Sequence, residues 1–112
     1  MSLSPDIKAS LTENAESFIK IIPVRELLIP LRFKGVLSSR QVEEMKHLYI
    51  TEDMNDYLLN ILLDQREDQD FDTFCHILEE NSVNAVKQFA AKLLSDANRN
   101  HANGMLVLAV IQ

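Results

Sequence analysis

Between residues 6 and 94, apolar residues recur at the spacing of helix faces and fall into six stretches. Ile7, Leu11, Ala15, Phe18 and Ile22 form the first stripe, since residues three and four apart lie over one another on a helix. Ser4-Pro5-Asp6 suits the entrance to that helix. It offers a hydroxyl for capping, a proline whose missing N–H costs nothing at the first position, and an acid at the positive end. Pro23 ends the helix and opens the next, because the residue before a proline is pushed out of helical geometry.

In the second helix Val24, Leu27, Leu28 and Leu31 face inward, with Arg25 and Arg32 outward. Pro30 falls inside it. There it removes a hydrogen bond and crowds the preceding turn at about 3 kcal/mol, which predicts a kink or a helix in two pieces. Gly35 stops that helix, and Ser38-Ser39-Arg40-Gln41 reads as a capping box opening the third, with Gln41 reaching back toward the cap. The buried stripe of the third helix is Val42, Met45 and either Leu48 or Tyr49.

Thr51-Glu52-Asp53 reads as the cap of the fourth helix, placing two acids where the dipole favours them. Met54, Tyr57, Leu58, Ile61 and Leu62 give it a broad apolar face, and Asp53, Asp56, Asn60 and Asp64 lie on the opposite stripe. The fifth helix shows Phe71, Phe74, Cys75 and Leu78, and the sixth, after Asn81-Ser82, shows Val86, Phe89, Ala90 and Leu93. Connections this short predict antiparallel neighbours in a helical bundle. Residues 1–94 make up that bundle, and 95–112 divide off as a polar stretch followed by an apolar strip. Three readings of the strip stand open: a last short helix on the bundle, a disordered end, or the start of a continuation.

Composition narrows the class without changing this picture. A chain of 112 residues supports one core and is too short for two. Two glycines and three prolines beside 46% hydrophobic residues favour an all-α fold over an all-β one. Cys75 is the single cysteine and no charged-then-apolar leader opens the sequence. No intramolecular disulfide framework is therefore available, and a reducing, cytoplasmic setting is expected. The longest wholly apolar run, 105–111, has seven residues, well short of the roughly 20 that span a bilayer.

Charge is segregated. Of the net −6, residues 23–47 carry +2 and residues 51–72 carry −7. The acidic balance argues against nucleic acid or an anionic membrane as partner, since both require dense cationic surface. Arg25, Arg32, Lys34 and Arg40 lie on the second and third helices, against Asp53, Asp56 and Asp64 on the fourth. Opposite patches on one domain can meet between two copies, and such heterologous contacts propagate as rings or filaments.

Chemical readings are weaker. Asp68, Asp70, Asp72 and Glu79 fall at positions 1, 3, 5 and 12 of a calcium-binding EF-hand loop. Thr73, however, stands where that loop needs glycine, and a helical apolar face runs through the segment. Cys75 and His76 are adjacent, so on a helix they point about 100° apart and cannot serve one substrate. His47, His76 and His101 have no metal-ligand spacing, and no Gly-rich phosphate loop is present. We therefore expect no catalysis, no metal, no cofactor and no small-molecule substrate.

Two signposts carry a family resemblance. The run Leu27-Leu28-Ile29-Pro30-Leu31-Arg32-Phe33-Lys34-Gly35-Val36-Leu37-Ser38, followed some thirty residues on by Phe71-Asp72-Thr73-Phe74-Cys75, resembles a caspase recruitment domain (CARD) of the death-domain superfamily. The run is similar to those of initiator-caspase prodomains and CARD adaptors. The resemblance implies a six-helix antiparallel Greek-key bundle, the death fold, with a broken first helix and Phe71 and Phe74 in the core. It also implies a non-catalytic adaptor, decoy regulator or caspase prodomain that binds other CARD-containing proteins, itself included, in apoptotic or inflammatory signalling. Family members join patches on helices one and four to patches on helices two and three. Here Arg25, Arg32, Lys34 and Arg40 would form one side and Asp53, Asp56 and Asp64 the other, the reverse in part of the familiar charge order. Another death-fold or sterile-alpha-motif-like scaffold domain and a small calcium-responsive helical protein are the alternatives.

Overall fold

The computed structural model describes the backbone of residues 2–111 and the side chains of residues 2–101. Seven helices and no strand are present among them: α1 (Pro5–Glu13), α2 (Ala15–Ile21), α3 (Val24–Phe33), α4 (Ser39–Lys46), α5 (Thr51–Gln65), α6 (Asp68–Glu79) and α7 (Asn84–Ile111). The all-α class expected from the sequence is therefore present. Seven elements replace the expected six because the first apolar stripe is divided at Asn14.

That division is local chemistry fixed by a distant partner. The Asn14 amide donates to the Ser10 carbonyl at 2.8 Å and to Asp96 Oδ2 at 2.9 Å. Short polar side chains that bond nearby backbone compete with helix continuation, and Asp96 on α7 holds this one in place. One turn earlier, the Ser10 hydroxyl donates to the Leu93 carbonyl at 2.7 Å.

Pro30 divides nothing. Helix α3 runs as one helix from Val24 to Phe33 through it, which excludes the two-piece alternative. The cost of an interior proline is about 3 kcal/mol. Burial of Val24, Leu27, Leu28 and Leu31 on the same helix returns about 1.5–3 kcal/mol per side chain, so packing wins.

The signals at the end of α3 are as the sequence suggests. Gly35 has φ +83°, Val36 N–H donates to the Leu31 carbonyl at 2.9 Å, and Gly35 N–H donates to Arg32 at 3.1 Å. These are the two bonds of a Schellman motif, whose left-handed residue favours glycine. Ser38 then opens α4 with a reciprocal capping box: Gln41 N–H to Ser38 Oγ at 3.1 Å, and Ser38 N–H to Gln41 Oε1 at 2.9 Å.

Other expected caps differ. The Ser4 side chain caps nothing, and its backbone N–H donates to Asp68 at 2.7 Å instead. The N-cap of α5 is Ile50, with Thr51 inside the helix. Tyr49, a candidate for the buried stripe, is 91% exposed.

Packing joins helices distant in sequence as well as neighbours. Helix α7 packs on α6 and α1, α2 on α5, and α3 on α4, α5 and α6. The core between them centres on Phe18, which stacks on Phe74 at 5.5 Å and meets Phe89 edge-on at 6.3 Å. Phe71 is buried beside them.

Residues 95–101 continue α7, so the division at 94/95 falls within a helix. Asp96 and Ala97 are buried. Arg99 pairs with Glu13 at 3.0 Å, and His101 meets Asp6 at 2.9 Å. The polarity of this stretch thus serves contacts to α1. The apolar strip 104–112 lies outside the residues whose side chains are described, although α7 reaches Ile111.

Candidate interaction surfaces

The acidic residues are brought together. Asp53, Asp56 and Asp64 line one shallow groove along α5, of about 360 Å³, whose walls include Leu48, Tyr57 and Ile61. They recur because positions three to four apart share a helix face, and Asp64 lies two turns beyond Asp56. None of the three has a hydrogen-bond or ion-pair partner among the described residues. Arg66, the one base in residues 51–72, is turned away from them: its guanidinium donates to the Val36 carbonyl at 2.6 Å and to Gln41. The negative charge of α5 is therefore left uncompensated on the outer surface.

The basic residues do not form a single patch. Arg25 reaches across to the α4–α5 loop, donating from Nη2 to the Tyr49 carbonyl at 2.8 Å and from Nε to Thr51 Oγ1 at 3.4 Å. Arg40 pairs with Glu44 at 3.3 Å on the exposed face of α4, an arrangement worth little in water. Lys34 caps α3 and borders a hollow with Thr73, His76 and Glu80 of α6. Arg32 lies over the Phe33 ring at 5.4 Å.

Arg32 also borders a second groove, between α3 and α4, with Leu28, Ile29, Phe33, Val42 and Lys46. This groove holds two bases and no acid, and Ile29 and Phe33 on its rim are 68% and 75% exposed. Sequence reasoning did not single out Lys46, Ile29 or Phe33 as surface features. The i, i+4 spacing of Ile29 and Phe33, off the Leu27–Leu28–Leu31 stripe, was the available signal.

Glu44 of α4 reaches the wall of the acidic groove. The Tyr57 hydroxyl donates to Glu44 Oε2. That bond, aided by Arg40, holds the Glu44 carboxyl below the usual range, while the same contact raises the Tyr57 phenol.

The chemical alternatives meet the geometry less well. Asp68, Asp70, Asp72 and Glu79 lie on α6, a continuous helix, and not in a twelve-residue loop. Asp70 Oδ2 accepts the Glu67 N–H at 3.0 Å, and Asp68 is held by Ser4. Cys75 is buried, and burial, reinforced by Asp72 and Glu79, pushes its thiol up to about 12. It stays protonated at neutral pH, and a thiol attacks only as the thiolate. Among the described residues no cluster of His, Cys, Asp and Glu could hold a metal, and no helix is long and apolar enough to cross a membrane.

The buried Asp96 yields a pH prediction. Hydrogen bonds from Asn14 and Lys92 hold its carboxyl below the usual range. A depressed acid contributes stability above its unfolded pKa, near 4, and loses it as pH falls through the lower folded value. Asp96→Asn is accordingly expected to cost about 1–3 kcal/mol at pH 7 and much less at pH 2–3. Urea unfolding at both pH values reads this difference, and equal losses at both would refute the assignment.

No family model matches the chain, and neither a curated protein nor a solved structure does.

Proposed function

We propose that this chain is a non-catalytic interaction module of the CARD type that assembles with like domains, its own copies included, in apoptotic or inflammatory signalling. The observation that carries this reading is the uncompensated acidic groove of α5, with Asp53, Asp56 and Asp64 unpaired, beside exposed bases on α3 and α4. The acidic groove of α5 and the α3–α4 groove bordered by Arg32 and Lys46 are complementary between copies, and complementarity of this kind supplies register and encounter rate.

The fold is compatible with that role. A first helix broken at Asn14 and packing between helices distant in sequence, α1 with α7 and α2 with α5, support a Greek-key death fold over a sequential up-and-down bundle. A module of this kind acts by raising the effective concentration of whatever it carries.

Light scattering across protein concentration tests the reading. The mass is expected to rise with concentration at about 0.1 M salt and to fall back toward the monomer at about 0.5 M, where exposed charges are screened. Monomer at every concentration and both salts would overturn homotypic assembly.

A further inference from the structure

Six large apolar residues are prominently exposed among the described residues, and four of them fall into two pairs near opposite charges. Ile29 and Phe33 rim the α3–α4 groove, whose bases are Arg32 and Lys46. Tyr49 and Ile50, 91% and 60% exposed, project from the loop that leads into α5, directly before the exposed acids Glu52 and Asp53. Single exposed apolar residues are ordinary, but grouped ones mark contact surfaces. The loop is also braced: Arg25 holds the Tyr49 carbonyl at 2.8 Å and approaches Thr51. A braced knob loses little conformational freedom on docking.

We propose that Tyr49 and Ile50 of one copy insert into the Leu28, Ile29, Phe33 and Val42 groove of a second copy, with Glu52 and Asp53 facing its Arg32 and Lys46. This rests on the homotypic reading and gives it a register. The occupant is argued from charge. The groove of about 310 Å³ has only basic ionisable residues on its walls, so it favours an apolar segment flanked by acid, and residues 49–53 of the same chain have that composition. Knob and groove lie on different parts of one molecule, so the contact is heterologous and leaves a free knob and a free groove at the two ends of any dimer. Rings or open chains of copies follow. Arg25 thereby changes role, from a residue that touches the partner to one that positions the loop.

The test is a double-mutant cycle on self-association, measured by sedimentation equilibrium or light scattering. Phe33→Ala and Tyr49→Ala are each expected to weaken association at least about tenfold, the equivalent of about 1.4 kcal/mol. The double variant is expected to be little worse than either single, because both remove one contact. Ile21→Ala and Val83→Ala, at exposed apolar positions outside the two pairs, serve as controls and should leave association unchanged. Circular dichroism confirms that each variant is folded. Additive losses from Phe33 and Tyr49, or no loss from either, overturn the knob-in-groove contact. If association then still responds to Asp56→Lys, the charged-face reading survives without it. Monomeric wild type at all concentrations removes both.

Discussion

Asn55→Asp is expected to cost about 3–5 kcal/mol of folding stability at pH 7, the range for an uncompensated charge in a protein interior. Asn55 is fully buried on α5, and its amide donates to the carbonyls of Ile19 at 2.7 Å and Ile22 at 2.9 Å. Those carbonyls close the C-terminal end of α2, where a helix leaves its last acceptors unpaired. A carboxylate there would set oxygen against oxygen. The carboxyl would escape by holding its proton, so its folded pKa rises above the unfolded value near 4. The folded state then binds the proton more tightly, and stability falls as pH rises through that unfolded value. Chemical denaturation should thus find the variant much closer to wild type at pH 4 than at pH 7. A small loss at pH 7, or one independent of pH, would mean that Asn55 does not carry the α2–α5 contact.

A comparable loss is expected from Phe18→Ala. Its ring is completely buried and joins α2 to α6 through Phe74 and to α7 through Phe89. Truncating a core phenylalanine costs about 3–5 kcal/mol through lost transfer energy and the cavity left behind. Domains of this size have about 5–15 kcal/mol in total. Urea unfolding of Phe18→Ala and Phe18→Leu measures the effect, with the leucine variant expected to retain more than half of the difference. Loss below about 1 kcal/mol in the alanine variant would contradict a central aromatic cluster.

Much of this fold was legible in the sequence because it is written locally. The inward stripe Val24, Leu27, Leu28 and Leu31, the stop at Gly35 and the Ser38–Gln41 box each depend on residues a few positions apart. What escaped was non-local. Asn55 sits between Met54 and Leu58 and would be read as a solvated interruption; its role is visible only once Ile19 and Ile22 are brought beside it. The helix break at Asn14 depends on Asp96, 82 residues away. The polar stretch after residue 94 looks like a tail until Glu13 and Asp6 meet it. At Pro30 the helix stays in one piece, because the buried side chains beside it offset the local cost.

The candidate surface was legible in part. Asp53, Asp56 and Asp64 share a face by periodicity alone, and they do line one groove. Grouping Arg25, Arg32, Lys34 and Arg40 by helix was less informative, because long side chains reach away from their own helix. Arg25 serves the loop before α5, and Arg40 is engaged by Glu44. Exposure of Ile29, Phe33, Tyr49 and Ile50 was hidden by their resemblance to core residues in a purely apolar count.

Charge reversal across the two faces is the most direct test of the central claim. Arg32→Glu and Asp53→Lys are examined singly and together by light scattering at about 0.1 M salt. Each single variant is expected to stay monomeric at concentrations where wild type associates, since it sets like charges against each other across the contact. The double variant is expected to recover part of the wild-type mass, because the signs again oppose. Single variants that associate like wild type, or a double variant that sums the two defects with no recovery, would contradict assembly through the α3 and α5 faces.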